Sequence, residues 1–497
     1  MDESQQGLLG LRDGADHPII SALAAAAQVR PSGWAVRDRY RSLSYPELLE
    51  SSLAHAADLA SSGLEPGDLV MLESTHDVTY LVAYFAALYV GLDIMPCDPT
   101  AGVPEIEREI SRYGARARLL PDPEAIRCDL RPDIRLPRKQ SSATGRGSAS
   151  TERGRVLLPT SGTGGLPKRA IHRADRLLGN AAAHAESVGL TGDDTTLITL
   201  SPAFGYCHTS QILAHLLVGG RIAFPPRPAL PRDLAAAMDA AAATNTTMVP
   251  HLLGSAMLRA LAGVRSLRQL SIGGSTVDVQ ALEQIGSALP GAELIQTWGM
   301  TECGPRLTTW RAGRDPLRPG CVGLPVAGVA IESRSLANGS DIAGPGTAAS
   351  GELYAHTPYA MLGYLDDAAS DALVLPRADL VRTGDLGSVD TDGRVYIHGR
   401  LKNVIDVAGK KVSPEEIEAV VARLAEVEAV RVIGRQVPRR GQQPVATVVR
   451  KADSNLDADA VMAVVRENLA PHKWLREVEF VDRLETTTTG KIRRFGS

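Results

Sequence analysis

The sequence predicts an α/β protein, with a large N-terminal domain of α/β subdomains followed by a small α+β C-terminal domain. Three observations predict it. Between residues 45 and 110, apolar runs of helix and strand length alternate in a βαβ rhythm, the signature of a largely parallel sheet. The rhythm resumes after Val156. From Gly351 it gives way to short strands and tight turns, and the last hundred or so residues carry the strands and helices of a separate small fold. A chain of 497 residues has room for this, at roughly 100–200 residues per domain.

The elements follow in order. Tyr45–Ser62 spaces its apolar residues as a helix does. Gly67-Asp68 punctuates, and Leu69–Leu72 reads as a short buried strand. A helix covers Asp77–Val90 and stops at Gly91, and Ile94–Pro96 is a second strand. Residues 121–154, rich in Pro, Arg, Ser and Gly, break the rhythm and read as a surface connection. Strands then fall at Leu197–Leu200, Arg221–Phe224, Thr246–Val249 and Leu270–Ile272, separated by Ala- or Leu-rich helices. Asp390-Thr391-Asp392-Gly393 is a hairpin turn between apolar runs. Ser413–Leu424 reads as a helix, with Ser413 as its cap, Pro414 in the first turn, and Glu415 and Glu416 at the positive end. Strands at Val427–Gly434 and Val445–Arg450 and a helix at Ala458–Leu469 complete the small domain.

Composition excludes several functions. Lys and Arg number 53 against 57 Asp and Glu, a net charge of −4, whereas a general nucleic-acid binder needs a basic excess. Five cysteines with no CxxC pair give neither a disulfide framework nor a zinc ribbon. The N-terminus is acidic and has no apolar core, so it does not read as a secretory signal. The longest apolar stretches, such as Tyr80–Val90, fall short of the roughly 20 residues a membrane span needs. The expectation is a cytoplasmic enzyme without a nucleic-acid or membrane partner.

The clearest chemical signal is a loop. Leu157-Leu158-Pro159 leads into Thr160-Ser161-Gly162-Thr163-Gly164-Gly165-Leu166-Pro167-Lys168. Glycines let backbone N–H groups approach a phosphate, hydroxyls add donors, and a lysine adds charge. A flexible Gly/Ser turn is the plain alternative for such a loop alone. The Walker pattern does not apply, because Pro167 precedes Lys168 and Arg169 follows it.

TSGTGGLPK resembles the phosphate loop of the adenylate-forming superfamily: acyl-CoA synthetases, nonribosomal adenylation domains and luciferases. Gly164 stands where the family usually has a threonine. Further blocks follow in the family's order. Gly273-Gly274-Ser275 is similar to the loop against the adenine, and Trp298-Gly299-Met300-Thr301-Glu302 to the family's Tyr-Gly-x-Thr-Glu. Gly351-Glu352-Leu353 through Gly363-Tyr364, Arg382-Thr383-Gly384-Asp385, Gly399-Arg400-Leu401-Lys402-Asn403 and Thr489-Gly490-Lys491-Ile492-Arg493 match the later blocks. The resemblance spans about residues 20 to 497, with an N-terminal domain over 1–400, including a small β-barrel-like portion, and a mobile C-terminal domain over 401–497.

The resemblance implies ATP, Mg²⁺ and coenzyme A as cofactors, and a small-molecule carboxylic acid as partner. A carboxylate acylates poorly until its leaving group becomes AMP, and the phosphates then need cations and fixed dipoles. Glu302 is implied as the metal ligand, since a hard cation prefers carboxylate oxygen. Thr301 is implied as a donor to the α-phosphate, Asp385 as acceptor for the ribose hydroxyls, Arg400 as a contact to ribose and phosphates, and Trp298 as the ring on the adenine. Lys491 enters from the small domain to bridge the acyl carboxylate and the α-phosphate. Lys402 stands at the hinge and Gly409 in the loop that the pantetheine arm passes.

Ser201-Pro202-Ala203-Phe204-Gly205-Tyr206-Cys207-His208 resembles the wall of the acyl pocket, joined by Val249, Gly274 and Met300. It lacks the aspartate that amino-acid-activating domains use for the substrate ammonium, so the acid is not an α-amino acid. Gly205 replaces the family's usual histidine gate, which either widens the pocket for a bulky acid or marks weaker control of the thiol step. His208 is a candidate for substrate contact, while Cys207 and Cys303 read as small apolar fillers. Three readings stand: an acid–coenzyme A ligase; an adenylating enzyme that loads a carrier-protein phosphopantetheine or leaves the adenylate to a partner enzyme; and a non-catalytic adenylate binder, against which Lys491 argues.

Overall fold

A computed structural model describes residues 16–122, 126–130, 153–160, 167–227, 229–274, 277, 279–335, 350–407, 410–437 and 441–485. A seven-stranded sheet has a parallel centre. Leu69–Glu73 lies between Asp93–Cys97 and Ala117–Pro121, and Val156–Pro159 joins beside Asp93–Cys97. Val156–Pro159 and Arg169–His172 form an antiparallel hairpin, and Gly363–Tyr364 caps its edge. At the other edge Ile126–Leu130 pairs antiparallel with Ala117–Pro121. The expected surface connection from residue 121 therefore begins with a strand. In the sequence its apolar residues alternate at Ile126, Cys128 and Leu130, and the open edge of Ala117–Pro121 supplies the ladder.

The second sheet has thirteen strands. Arg221–Ala223, Thr195–Leu197, Asn245–Met248, Gln269–Ile272 and Glu293–Gly299 run parallel in that order. Arg306–Arg311 turns back against Glu293–Gly299, and the rest of that side is antiparallel, through Cys321–Pro325, Val395–Arg400, Leu380–Val389, Gly351–His356 and Ala330–Arg334. This antiparallel half occupies the place of the expected barrel-like portion, in one continuous ladder with the parallel half. The strand expected at Leu197–Leu200 ends at Leu197 and starts instead at Thr195. Its threonines hide the strand from an apolar count, yet they are buried and bonded: Gln211 Nε2 donates to Thr196 Oγ1 at 2.9 Å.

The helix Val78–Val90 lies between the sheets. Asp77 caps it by accepting from Tyr80 N, and Gly91 ends it in the left-handed region at φ 82°. Almost every side chain on it is buried, the pattern of a helix inside a core rather than on a surface. Its core cluster takes Val70, Ile94 and Val156 from one sheet and Val36, Ile198 and Ile222 from the strands and loops of the other.

The small domain builds its own core from Ile405 to Leu475. Val427–Val437 pairs antiparallel with Gly441–Arg450, which pairs parallel with Glu477–Phe480. Ser413 precedes the helix Pro414–Val421 but does not cap it. Its hydroxyl instead donates to His398 O of the large domain at 2.8 Å, and Asn403 Nδ2 donates to Glu415 Oε1 at 2.6 Å. Gly399 sits at this seam, where a Cβ would come within 2.4 Å of Ser413 Oγ and 2.7 Å of Glu415 Oε2. Among the described residues no helix is long and apolar enough to cross a membrane.

Candidate functional site

The site assembles where the parallel strands end and the antiparallel half begins. Thr160 N donates to Lys168 O at 2.9 Å, which closes the base of the glycine loop as an extension of its hairpin. Ser161, Gly162, Thr163, Gly164 and Gly165 lie outside the described residues, as do Ser275, Gly409 and Lys491. Thr301 Oγ1 donates to Pro159 O at 3.4 Å, so the WGMTE turn sits against the loop's base. A register shift at Trp298/Gly299 ends the strand there and turns the chain into a short 3-10 segment, Thr301–Cys303. Met300 precedes that segment and packs on the cluster of Cys303, Leu307 and Ala355.

Glu302 is 8% exposed. Tyr364 donates to its Oε1 at 2.5 Å, and burial together with the carboxylate pushes the phenol well above its usual range. Lys168 stands on the other side of that ring, its Nζ 5.1 Å from the centroid. The lysine pairs with Asp367 Oδ2 at 2.9 Å and bonds Ser370. Those contacts hold the half-buried Asp367 carboxyl down at about 2. Thus the Tyr364 ring lies against the Lys168 ammonium while its hydroxyl holds the buried Glu302 carboxylate.

Asp385 is the second buried carboxylate, 3% exposed. It faces Arg400 in register across two neighbouring strands, and Arg400 Nε lies 2.5 Å from its Oδ1. Trp298 Nε1 donates to its Oδ2 at 2.8 Å. The indole edge is therefore committed to the carboxylate, a contact that the expectation of a stacking ring did not include. Burial pushes the Cys303 thiol well up, and the carboxylates of Glu302 and Asp385 reinforce the shift, so both acids stand near it. Lys402, next to Arg400, is drawn down by burial and then by that arginine's charge.

The expected acyl wall forms a short helical turn, Gly205–Cys207, that runs into a π-helical segment, His208–Leu213. Phe204 precedes the turn and is half-buried. Tyr206 reaches the ends of the parallel strands: its hydroxyl lies 3.0 Å from Thr297 Oγ1. It also explains Gly273, where a Cβ would meet Tyr206 Oη at 2.5 Å and Thr297 Oγ1 at 2.7 Å. Gly274, at φ +87°, leaves room for Val249, whose Cγ1 would lie 3.2 Å from an added Cβ. Gly205 opens no wide space of its own, because Leu158 Cδ1 and Pro305 Cγ close on it at 3.2 and 3.7 Å from a built Cβ. His208 is placed in the core rather than among these groups. It is fully buried, its Nε2 lies 2.8 Å from Tyr84 Oη, and burial pushes its ring down to about 3. Cys207 and Cys303 are fully buried, and burial raises both thiols.

Residues 23–365 match the family described as AMP-binding enzyme, and residues 416–491 match the AMP-binding enzyme C-terminal domain. The chain belongs to the AMP-binding enzyme family. Over 494 residues this AMP-binding enzyme is 29% identical to feruloyl-CoA synthase of an Amycolatopsis species, covering 95% of this chain and 97% of that protein. It is 27% identical to 4-coumarate–CoA ligase 1 of Oryza sativa subsp. japonica, covering 90% and 85%. Its fold is similar to that of ATP-bound MatB from Rhodopseudomonas palustris, with TM-score 0.79, 23% identity and coverage of 95% and 97%. It is also similar to that of the anthranilate CoA ligase AuaEII in complex with anthranoyl-AMP, with TM-score 0.78, 19% identity and 97% of each chain.

Two residues of the AMP-binding enzyme escaped the sequence reading. Tyr364 was visible only as part of the block ending Gly363-Tyr364, and nothing in its spacing points 62 residues back to Glu302. Arg306, which follows WGMTE closely, gave no signal at all, since arginine at the start of a strand reads as exposed.

Proposed function

We propose that this AMP-binding enzyme activates a carboxylic acid with ATP, releases pyrophosphate, holds the acyl-adenylate, and passes the acyl group to the thiol of coenzyme A. The observation that carries this reading is the pair of buried carboxylates, Glu302 and Asp385, set beside the base of the glycine loop and each held by an aromatic donor. The pair fits the groups it would hold. A Mg²⁺ ion commonly takes one or two protein carboxylates and fills its shell with phosphate oxygens and water. No group of three or more acidic, His or Cys side chains that could cage a metal occurs among the described residues. When bound, the metal supplies charge neutralisation at the phosphates.

The chain's own residues do the rest. Glu302 is the metal's carboxylate, with Tyr364 fixing its Oε1. Asp385 accepts from the ribose hydroxyls with the lone pairs that Trp298 and Arg400 leave it. Arg400 and Lys168 neutralise phosphate charge, Thr301 donates to the α-phosphate, and residues 160–165 cradle the departing pyrophosphate. Gly273, Gly274 and Ser275 back the adenine beside Trp298. Phe204, Gly205, Tyr206, Val249, Gly274 and Met300 line the acid. Lys491 neutralises charge between acid and α-phosphate. The domain boundary lies at Arg400/Leu401, which the small domain's separate core from Ile405 onward supports. Lys402 is the hinge, and Gly409 passes the pantetheine arm. The enzyme acts in the cytoplasm.

Acid-dependent ATP–pyrophosphate exchange over a panel of aryl, fatty and dicarboxylic acids tests the first half-reaction, and thioester formation with coenzyme A or a carrier-protein phosphopantetheine tests the second. No exchange and no AMP with any acid would sink the ligase reading. Thioester formed only on a carrier protein would replace coenzyme A as the acceptor.

A further inference from the structure

Arg306 is 3% exposed, and no carboxylate among the described residues pairs with it. Its Nη2 donates to Ser210 Oγ at 2.7 Å, and Tyr206 O lies 3.5 Å from the same nitrogen. Its Nε is buried and has no hydrogen-bond partner among the described residues. The guanidinium carbon lies 3.7 Å from the centroid of the Tyr206 ring, the wall residue of the acid pocket. The backbone under it is clamped on both sides by Asn180, which accepts from Arg306 N at 2.8 Å and donates to Arg306 O at 2.9 Å. Neighbouring His184 is buried and neutral: burial pushes its ring well down, and the arginine's charge pushes further. Burial draws the arginine itself down to about 10, so it stays a cation at neutral pH.

A buried charge is normally paired, because its desolvation must be offset by an opposite charge and by satisfied donors. Arg306 has a π face and neutral oxygens in place of a counter-ion, and its buried Nε–H lacks an acceptor among the described residues. A water would satisfy that donor and leave the charge uncompensated, whereas an oxyanion does both, and a guanidinium fork suits it.

We propose that Arg306 receives a second oxyanion of the substrate, so that the acid activated carries, at the end remote from the reacting carboxyl, a carboxylate or comparably anionic oxygen. This rests on the ligase reading and on Tyr206 lining the acid. Arg306 is then the specificity determinant, fixed in place by Asn180 and Tyr206 before the substrate arrives.

The test is exchange kinetics with acids of matched length that end in a carboxylate, an amide or a methyl group, on the wild type, R306M and R306K. The wild type prefers the distal carboxylate over methyl. R306M loses about 10- to 100-fold of that preference, the scale of one charged hydrogen bond, with the KM for ATP unchanged. R306K keeps the charge without the fork and loses several-fold; it decides the question if R306M does not fold. An unchanged preference in the variants, or no preference in the wild type, overturns the proposal and leaves Arg306 as a structural cation–π partner of Tyr206. Calorimetric binding of the same diacids without ATP separates the two readings. If no acid supports exchange, the ligase reading fails, yet a tenfold loss of diacid binding in R306M still upholds the anion site.

Discussion

Arg169 and Arg306 are both buried, at 1% and 3% exposure, and the fold treats them in opposite ways. Arg169 belongs to the seven-stranded sheet. Its Nε and Nη2 reach Glu109 Oε2 at 2.8 and 2.5 Å, and its Nη1 donates to Pro96 O at 2.7 Å. Its charge is cancelled by an equally buried carboxylate, and its fork is taken up by neighbouring strands and a helix. Arg306, at the switch point of the other sheet, has a tyrosine face where Arg169 has a carboxylate. The glutamates show the same contrast: Glu109 meets a cation, whereas among the described residues the Glu302 carboxylate is held by the neutral hydroxyl of Tyr364. At Arg169 the charge is closed within the protein and serves the scaffold. Charge left open marks the place where a ligand must supply the partner.

Substitutions can break or sharpen that contrast. The largest effect is expected for Glu302→Gln, which keeps the acceptor for Tyr364 but removes the charge. Adenylation falls by about 10²–10³-fold, the scale of one charge-stabilising group, while the melting temperature barely moves. Full activity at low Mg²⁺ would show that another residue holds the metal. Glu109→Gln, the scaffold counterpart, does the reverse. Urea unfolding reports a loss of about 3–5 kcal/mol, from leaving Arg169 unpaired, while kcat per folded enzyme is unchanged. A comparable loss of kcat would mean that the ion pair communicates with the site.

Two smaller effects refine the picture. Buried His208 is neutral, with its folded value near 3 against 6.5 for an unperturbed ring. The unfolded chain therefore binds the extra proton, so this histidine's contribution is full above about pH 6.5 and is lost as pH falls towards 3. His208→Gln flattens that acid-side decline by up to about 1.4 kcal/mol per pH unit, read from urea unfolding at pH 7, 6 and 5. An unaltered slope would place the proton uptake on other groups. Trp298→Phe keeps an aromatic face and removes the donor to Asp385. The KM for ATP rises about tenfold, as for loss of one hydrogen bond to a charged group, and the melting temperature holds. An unchanged KM would make the indole a packing residue.

Much of this arrangement was legible in the sequence where local order is enough. The βαβ rhythm placed the helix Val78–Val90 within a residue, because Asp77 caps its start and Gly91 is a strong stop signal. The turn expected at 390–393 joins the two strands whose ladder pairs Asp385 with Arg400. What escaped depends on contacts across sheets. Tyr364 meets Glu302 because Gly363–Tyr364 adds to the edge of the glycine-loop hairpin, a pairing that no periodicity predicts. His208 read as a candidate for substrate contact because its position in the motif says nothing of Tyr84, 124 residues earlier. Ser413 looked like a cap, but its hydroxyl found a carbonyl on the other domain. Arg306 was invisible because a missing counter-ion is a fact about space, not about sequence.

The seam at Gly399 has a practical consequence for anyone rebuilding this protein. The absent side chain is what lets Ser413 and Glu415 close on the large domain. A single methyl there would meet Ser413 Oγ at 2.4 Å and Glu415 Oε2 at 2.7 Å, and at φ +153° it would also strain the backbone of the strand that carries Arg400. Position 399 is thus a mechanical constraint on both the seam and that strand.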